Sequence, residues 1–157
     1  MYAWVSGLSC VAGFSIWSGE TVRSVMFSEK VSRRLDDEVV IWMTTVAAGG
    51  KPQTSVVWYW WDGSEFLIYS LDPAARLRNL ADNPHVSLNL DGNGRGGDVV
   101  TIEGVASFDP AAPTAAEMED YVAKYRHRMD RGWGGPEGFA EKYPTAIRVR
   151  PTRVRSW

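Results

Sequence analysis

The run TSVVWYWW at Thr54–Trp61 sets the strongest constraint on what this chain can fold into. β-Branched residues followed by aromatics specify a strand. Strand alternation sends Trp58 and Trp60 to one face and Trp61 to the other. A large aromatic side chain buries roughly 150–250 Å², so both faces of this strand need cover. Two kinds of cover satisfy that need: a core with an oligomer interface behind it, or the wall of a pocket for a flat ring.

The flanking sequence extends the pattern. Val39–Val46 (VVIWMTTV) is a buried strand by length and composition, and Gly49, Gly50 and Pro52 turn the chain into the Trp-rich run. Asp62-Gly63 is a hairpin signal, followed by a third strand at Glu65–Ser70. These three strands are expected to form an antiparallel meander. Val86–Asp91 alternates with Val86, Leu88 and Leu90 inward, and Val100, Ile102, Gly104, Ala106 and Phe108 share one face of a fifth strand. A sixth strand carries Ile147 and Val149, and Pro151 should shift its register, because Val154 has the opposite parity. Ser28 caps a short helix over Ser28–Leu35. Thr114 and Glu117 form a capping box, opening a helix with Met118, Tyr121, Val122, Tyr125 and Met129 on one stripe. A Gly-rich linker surrounds Trp133. The fold class is therefore mainly β, a six-stranded antiparallel barrel with helical attachments.

A chain of 157 residues supports one domain with a core of its own, and 45% hydrophobic with 23% charged residues is ordinary for a soluble protein. No apolar run reaches the ~18 residues of a membrane-spanning helix. The single cysteine, Cys10, excludes a disulfide framework, so a cytoplasmic setting is expected. Residues 1–25 hold one basic residue, Arg23, and a weak apolar stretch broken by Gly and Ser. They read as a dispensable extension ahead of a start at Met26, with a weak export signal as the alternative. The single domain then spans 26–157. Residues 1–120 hold eight basic and sixteen acidic residues, whereas 121–157 hold nine and three. That asymmetry favours a local anion-attracting surface, or a solvated basic face on the last strand, over a nucleic-acid binder.

Side-chain chemistry is sparse. His85 and His127 have no companions at metal-ligand spacing, so no metal site is expected. No serine sits on a strand-to-helix elbow, and GNGRGG at Gly92–Gly97 does not precede a helix. No catalytic side chain is expected, and a bound cofactor should carry the chemistry. One segment points to where it sits. In DPAARLRNLADNP (Asp72–Pro84), Arg76 and Arg78 occupy the start of a short helix, where the dipole disfavours cations. A phosphate at the unpaired N–H groups there would explain them; pairing with Asp72 or Asp82 is the alternative.

SLDPAARLRNLADNPHVSL, with KPQTSVVWYW before it and VVTIEGVASF after it, resembles the pyridoxamine 5′-phosphate oxidase-like split β-barrel family. The closing IRVRPTRVRSW is similar to the actinobacterial branch that uses the deazaflavin coenzyme F-420. The resemblance covers roughly Phe27–Trp157. It implies a homodimer with a flavin-type cofactor in a cleft between subunits and an oxidoreductase acting on a small apolar or aromatic substrate. By position it assigns Arg76 to the cofactor phosphate, Ser70 to the neighbourhood of the ring or ribityl chain, and Gln53, Ser55 and Val57 to the strand beneath the ring. Arg78 and Asn79 fall at the matching helix start. Lys51, Trp58, Arg126 and Trp133 are assigned to the substrate or to the coenzyme's anionic tail. Ala75 stands where many FMN enzymes of the family have a second basic residue, which favours F-420 over FMN. An FMN oxidoreductase and a non-catalytic flavin or haem carrier are the alternatives.

Overall fold

Tyr59 is the point at which the chain leaves one edge of the sheet for the other. In the computed structural model, which describes residues 25–157, the Trp-rich run is not one strand but two. The expected extension over residues 1–25 falls outside the described residues, apart from Val25. The element order is α1 (Glu29–Asp37), β1 (Ile41–Val46), β2 (Pro52–Val57), β3 (Trp60–Trp61), β4 (Phe66–Ser70), α2 (Ala75–Asp82), β5 (His85–Leu90), β6 (Val100–Phe108), α3 (Glu119–Gly132), α4 (Pro136–Lys142) and β7 (Thr145–Ser156). The strands form one antiparallel sheet in the order β2-β1-β5-β6-β7-β4-β3. The sheet curls into a half-barrel with helices attached. It has seven strands where six were expected, because β2 and β3 are separated at Trp58–Tyr59.

The cause of that break is tertiary. The Tyr59 amide donates to the Tyr125 hydroxyl of α3 at 2.9 Å, and the same hydroxyl meets Tyr59 O at 2.7 Å. A side chain thus replaces the ladder for that residue, which satisfies the buried backbone without a neighbouring strand. The expected three-strand meander is corrected accordingly. β1 and β2 pair as one hairpin, β3 and β4 pair as another, and the two lie at opposite ends of the sheet.

Two apolar clusters flank β4, all five of whose residues are buried. Inside the half-barrel Ile41, Met43, Tyr59, Trp61, Phe66 and Ile68 pack with the inward residues of β5, β6 and β7. On the other side Leu67 and Tyr69 pack with Tyr121, Tyr125, Met129 and Phe139, and with Trp58 and Trp60. The indoles therefore divide between faces as alternation requires. Phe108, expected inward, is exposed at the end of β6. The register of β6 and β7 shifts where Glu103 faces Arg153 and Gly104 faces Pro151, leaving Thr152 as the extra residue. Val154 then packs against the inner core. Ser28 caps α1 through Val31 N. Thr114 donates both its N–H and its hydroxyl to Glu117 Oε2 without the return bond of a capping box; the pair closes a turn, and α3 begins later, at Glu119. The segment read as a Gly-rich linker contains α4, with Pro136 in its first turn after Gly135 at φ 108°.

Candidate functional site

α2 starts without a side-chain cap: its N-cap is Ala74, and its first turn holds no acidic residue. The positive end of the helix dipole is therefore left to other groups. Arg76 stands in that first turn and its Nη1 donates to Ser70 Oγ at 3.0 Å, while Ser70 Oγ donates to Leu71 O at 3.3 Å. Burial lowers the pKa of the half-buried guanidinium, because desolvation penalises its charge. Neither Asp72 nor Asp82 neutralises it. Among the described residues no ion pair involves Arg76 or Arg78. A partly desolvated cation at a helix N-terminus, without a counter-charge, is the environment an anion repays.

Arg76 lines two adjoining clefts. One, of about 250 Å³, is walled by Val57, Trp58, Tyr69, Trp133, Phe139 and Tyr143. Its aromatic wall is rigid: Trp58 is stacked on Tyr125 at 4.6 Å and on Phe139 at 5.0 Å, with Trp133 edge-on at 5.0 Å. The other, of about 390 Å³, is the more polar of the two, lined by Thr45, Gln53, Thr54, Ser55 and the start of α2. The buried polar residues among those described are Thr45, Ser70 and Asn79, and all three belong to this site. Asn79 Nδ2 donates to Thr45 Oγ1 at 2.9 Å and to Gln53 Oε1 at 2.8 Å, fastening α2 to the β1–β2 hairpin. The pair of clefts suits a ligand that joins an anionic group to a flat ring.

The fold thus gathers Gln53, Ser55, Val57, Trp58, Ser70, Arg76, Asn79 and Trp133. Three expected residues stand apart. Lys51 is exposed in the β1–β2 turn, Arg78 is exposed and lines neither cleft, and Arg126 pairs with Asp130 on the exposed side of α3 at 3.3 Å. The basic C-terminal excess is partly spent: Arg148 pairs with Asp109 and Asp62, and Arg153 and Arg155 share Glu103. Sequence reasoning missed Thr45, Phe139 and Tyr143. The last two sit four apart behind Gly135-Pro136, a helix-start signal hidden among glycines. Among the described residues no group of three or more His, Cys, Asp or Glu could hold a metal, and no helix is long and apolar enough to cross a membrane.

The model of the pyridoxamine 5′-phosphate oxidase family matches residues 27–157. The chain belongs to this family. Solved structures share the fold at low identity. An F420 reductase is 24% identical with a TM-score of 0.63, the match covering 79% of this chain and 94% of that one. The haem storage protein HutZ of Vibrio cholerae is 18% identical with a TM-score of 0.58, over 83% and 95% of the two chains. A FAD-binding protein of Mesorhizobium loti is also 18% identical with a TM-score of 0.58, over 80% and 87%. Members of this fold thus include a reductase, a flavin binder and a haem protein, and the site must decide between them.

Proposed function

We propose that this family member is an F-420-dependent oxidoreductase that transfers a hydride between the deazaflavin and a small apolar or aromatic substrate. The observation that carries the reading is Arg76, an unneutralised cation at the start of α2 that lines both the polar and the aromatic cleft. The residues present fit the coenzyme. Arg76 and the uncapped N–H groups of α2 offer donors to its phosphate, Ser70 fixes the guanidinium, and Gln53, Ser55 and Val57 line the strand beside it. When bound, a deazaflavin supplies hydride donation or acceptance at C5. The chain contributes position and a dry aromatic wall: Trp58 and Trp133 exclude water and present flat surface to an electron-poor ring. No side chain need act as a nucleophile. Arg76 suits the phosphate of either cofactor, Ala75 beside it favours F-420 over FMN, and the F420 reductase neighbour agrees with that choice.

The homodimer belongs to the same proposal. Trp42 and Val56 are directly opposite each other across β1 and β2, and both are exposed, 42% and 48%. That apolar pair, of which Val56 also lines the aromatic cleft, gives a second copy a surface to cover. A cytoplasmic setting is part of the proposal and rests on the single cysteine, Cys10.

The test is a titration of the purified protein with F-420, FMN and haem, followed by turnover of reduced F-420 with candidate acceptors. Micromolar or tighter F-420 binding with turnover supports the reading. Tight FMN or haem binding without F-420 binding overturns it, in favour of a flavin oxidoreductase or a carrier. Light scattering of the same sample reads the dimer directly.

A further inference from the structure

Asn79 lies one turn beyond Arg76 on α2, 6% exposed, and its amide nitrogen has two hydrogens. Both are spent, one on Thr45 Oγ1 and one on Gln53 Oε1. Asn79 therefore has no donor left for a ligand, although it stands where a cofactor contact was expected.

The consequence falls on its two partners. A primary amide has an acceptor end and a donor end. With Oε1 of Gln53 held by Asn79, the free end of that side chain is its NH₂, and Gln53 lines the polar cleft. Thr45 and Gln53 face each other across β1 and β2, so one amide reaches both. The Thr45 oxygen accepts from Asn79, which leaves its hydroxyl proton to be donated, and Thr45 lines the same cleft. Arg76 has donors only, and the nearby acceptor, Ser70 Oγ, is taken by Arg76. Thr54 Oγ1 is paired with Thr44 Oγ1 at 2.8 Å. Ser55 can donate or accept. The N–H groups at the uncapped start of α2 add further donors to the same wall.

We propose that Asn79 is a positioning residue that sets ligand specificity: by donating to both Thr45 and Gln53 it turns the Gln53 NH₂ and the Thr45 hydroxyl proton toward the polar cleft and makes that surface donor-rich. Such a surface favours the anionic oxygens of a phosphoryl group over a ligand end that carries its own N–H or O–H donors. Without Asn79 the Gln53 amide is free to turn its carbonyl into the cleft, where it repels the same oxygens. This inference rests on the proposed function only in taking the polar cleft for the anionic end of the bound molecule.

A double-mutant cycle on the full chain tests it, with F-420, FMN and inorganic phosphate as probes in calorimetric titrations and thermal melts as the control for folding. Asn79→Leu and Gln53→Met are each expected to raise Kd about tenfold, the worth of one charge-assisted hydrogen bond. The double variant should be well short of the hundredfold that independent sites would give, because Asn79 acts through Gln53. A purely structural role would lower the melting temperature and leave the coupling at zero. Should Asn79→Leu fail to fold, Asn79→Asp asks the same question, since a carboxylate can only accept and reverses the Gln53 amide. Additive effects, or an affinity unchanged within twofold in Asn79→Leu, overturn the inference while leaving the proposed function intact. FMN or phosphate binding with the expected coupling, but no F-420 binding, sustains the inference and overturns the proposed function. Absence of binding for all three probes overturns both.

Discussion

Tyr121 and Tyr125 lie one turn apart on α3, both fully buried, and replacing each by Phe should give opposite results. The Tyr125 hydroxyl accepts from Tyr59 N at 2.9 Å, and its single proton is shared between Tyr59 O at 2.7 Å and Val39 O at 2.9 Å. Tyr125→Phe leaves the Tyr59 amide orphaned in the core, costing about 1–3 kcal/mol, and takes a donor from two carbonyls for about 1 kcal/mol more. The sum is about 3 kcal/mol. For a folded unit of roughly 130 residues the unfolding entropy is about 0.27 kcal/mol/K, so the melting temperature should fall by about 10 °C. The Tyr121 hydroxyl has no hydrogen-bond partner although buried, so Tyr121→Phe discards a desolvated polar atom and loses no bond. Its melting temperature should hold or rise by a few degrees. Scanning calorimetry of the two variants beside the parent is the assay. A drop under about 3 °C for Tyr125→Phe, or equal drops for both, would refute the claim that a tyrosine hydroxyl holds the break between β2 and β3.

Other perturbations follow from the same contacts. Arg76→Ala should weaken F-420 binding about ten- to a hundredfold with the fold intact, since it removes the cation and keeps the helix; unchanged affinity in a fluorescence titration would refute the phosphate assignment. Gly138→Ala should cost about 1–3 kcal/mol and disturb the aromatic wall, because a Cβ there would overlap the carbonyl of Trp133; a denaturant melt with tryptophan emission reads both effects. Burial pushes the Lys124 amine down to about 8, overcoming the raising influence of Asp36, Asp37 and Glu38. The folded state then loses that proton before the unfolded state, whose lysine titrates near 10.5. Stability contributed by Lys124 should therefore rise between pH 8 and about 10.5, and a Lys124→Met variant melted across that range should lack the rise.

The sequence by itself determined most of the strands, the core-facing alternation along them and the presence of Arg76 at a helix start. Alternation in Val86–Leu90 and Val100–Ala106 fixed which side meets the core, since a one-residue slip would expose every apolar side chain. The shift at Pro151 was legible because Val154 breaks parity, and the placement of Arg76 at the start of α2 because cations stood there against a helix dipole. The same local rules placed Trp58 and Trp60 against one cluster and Trp61 against the other. What the tertiary structure alone decided is pairing and company. The meander failed because hydrogen bonding to Tyr125, 66 residues away, ended β2 at Val57, and no local signal records a partner at that distance. Asn79 stands where a ligand contact was expected, and only the fold shows that both N–H donors of its amide go to Thr45 and Gln53. Lys51, Arg78 and Arg126 were chosen for charge, but only the fold distinguishes a cation turned into a cleft from one left in water. Periodicity specifies which face of an element is apolar; which element covers that face depends on contacts between distant segments.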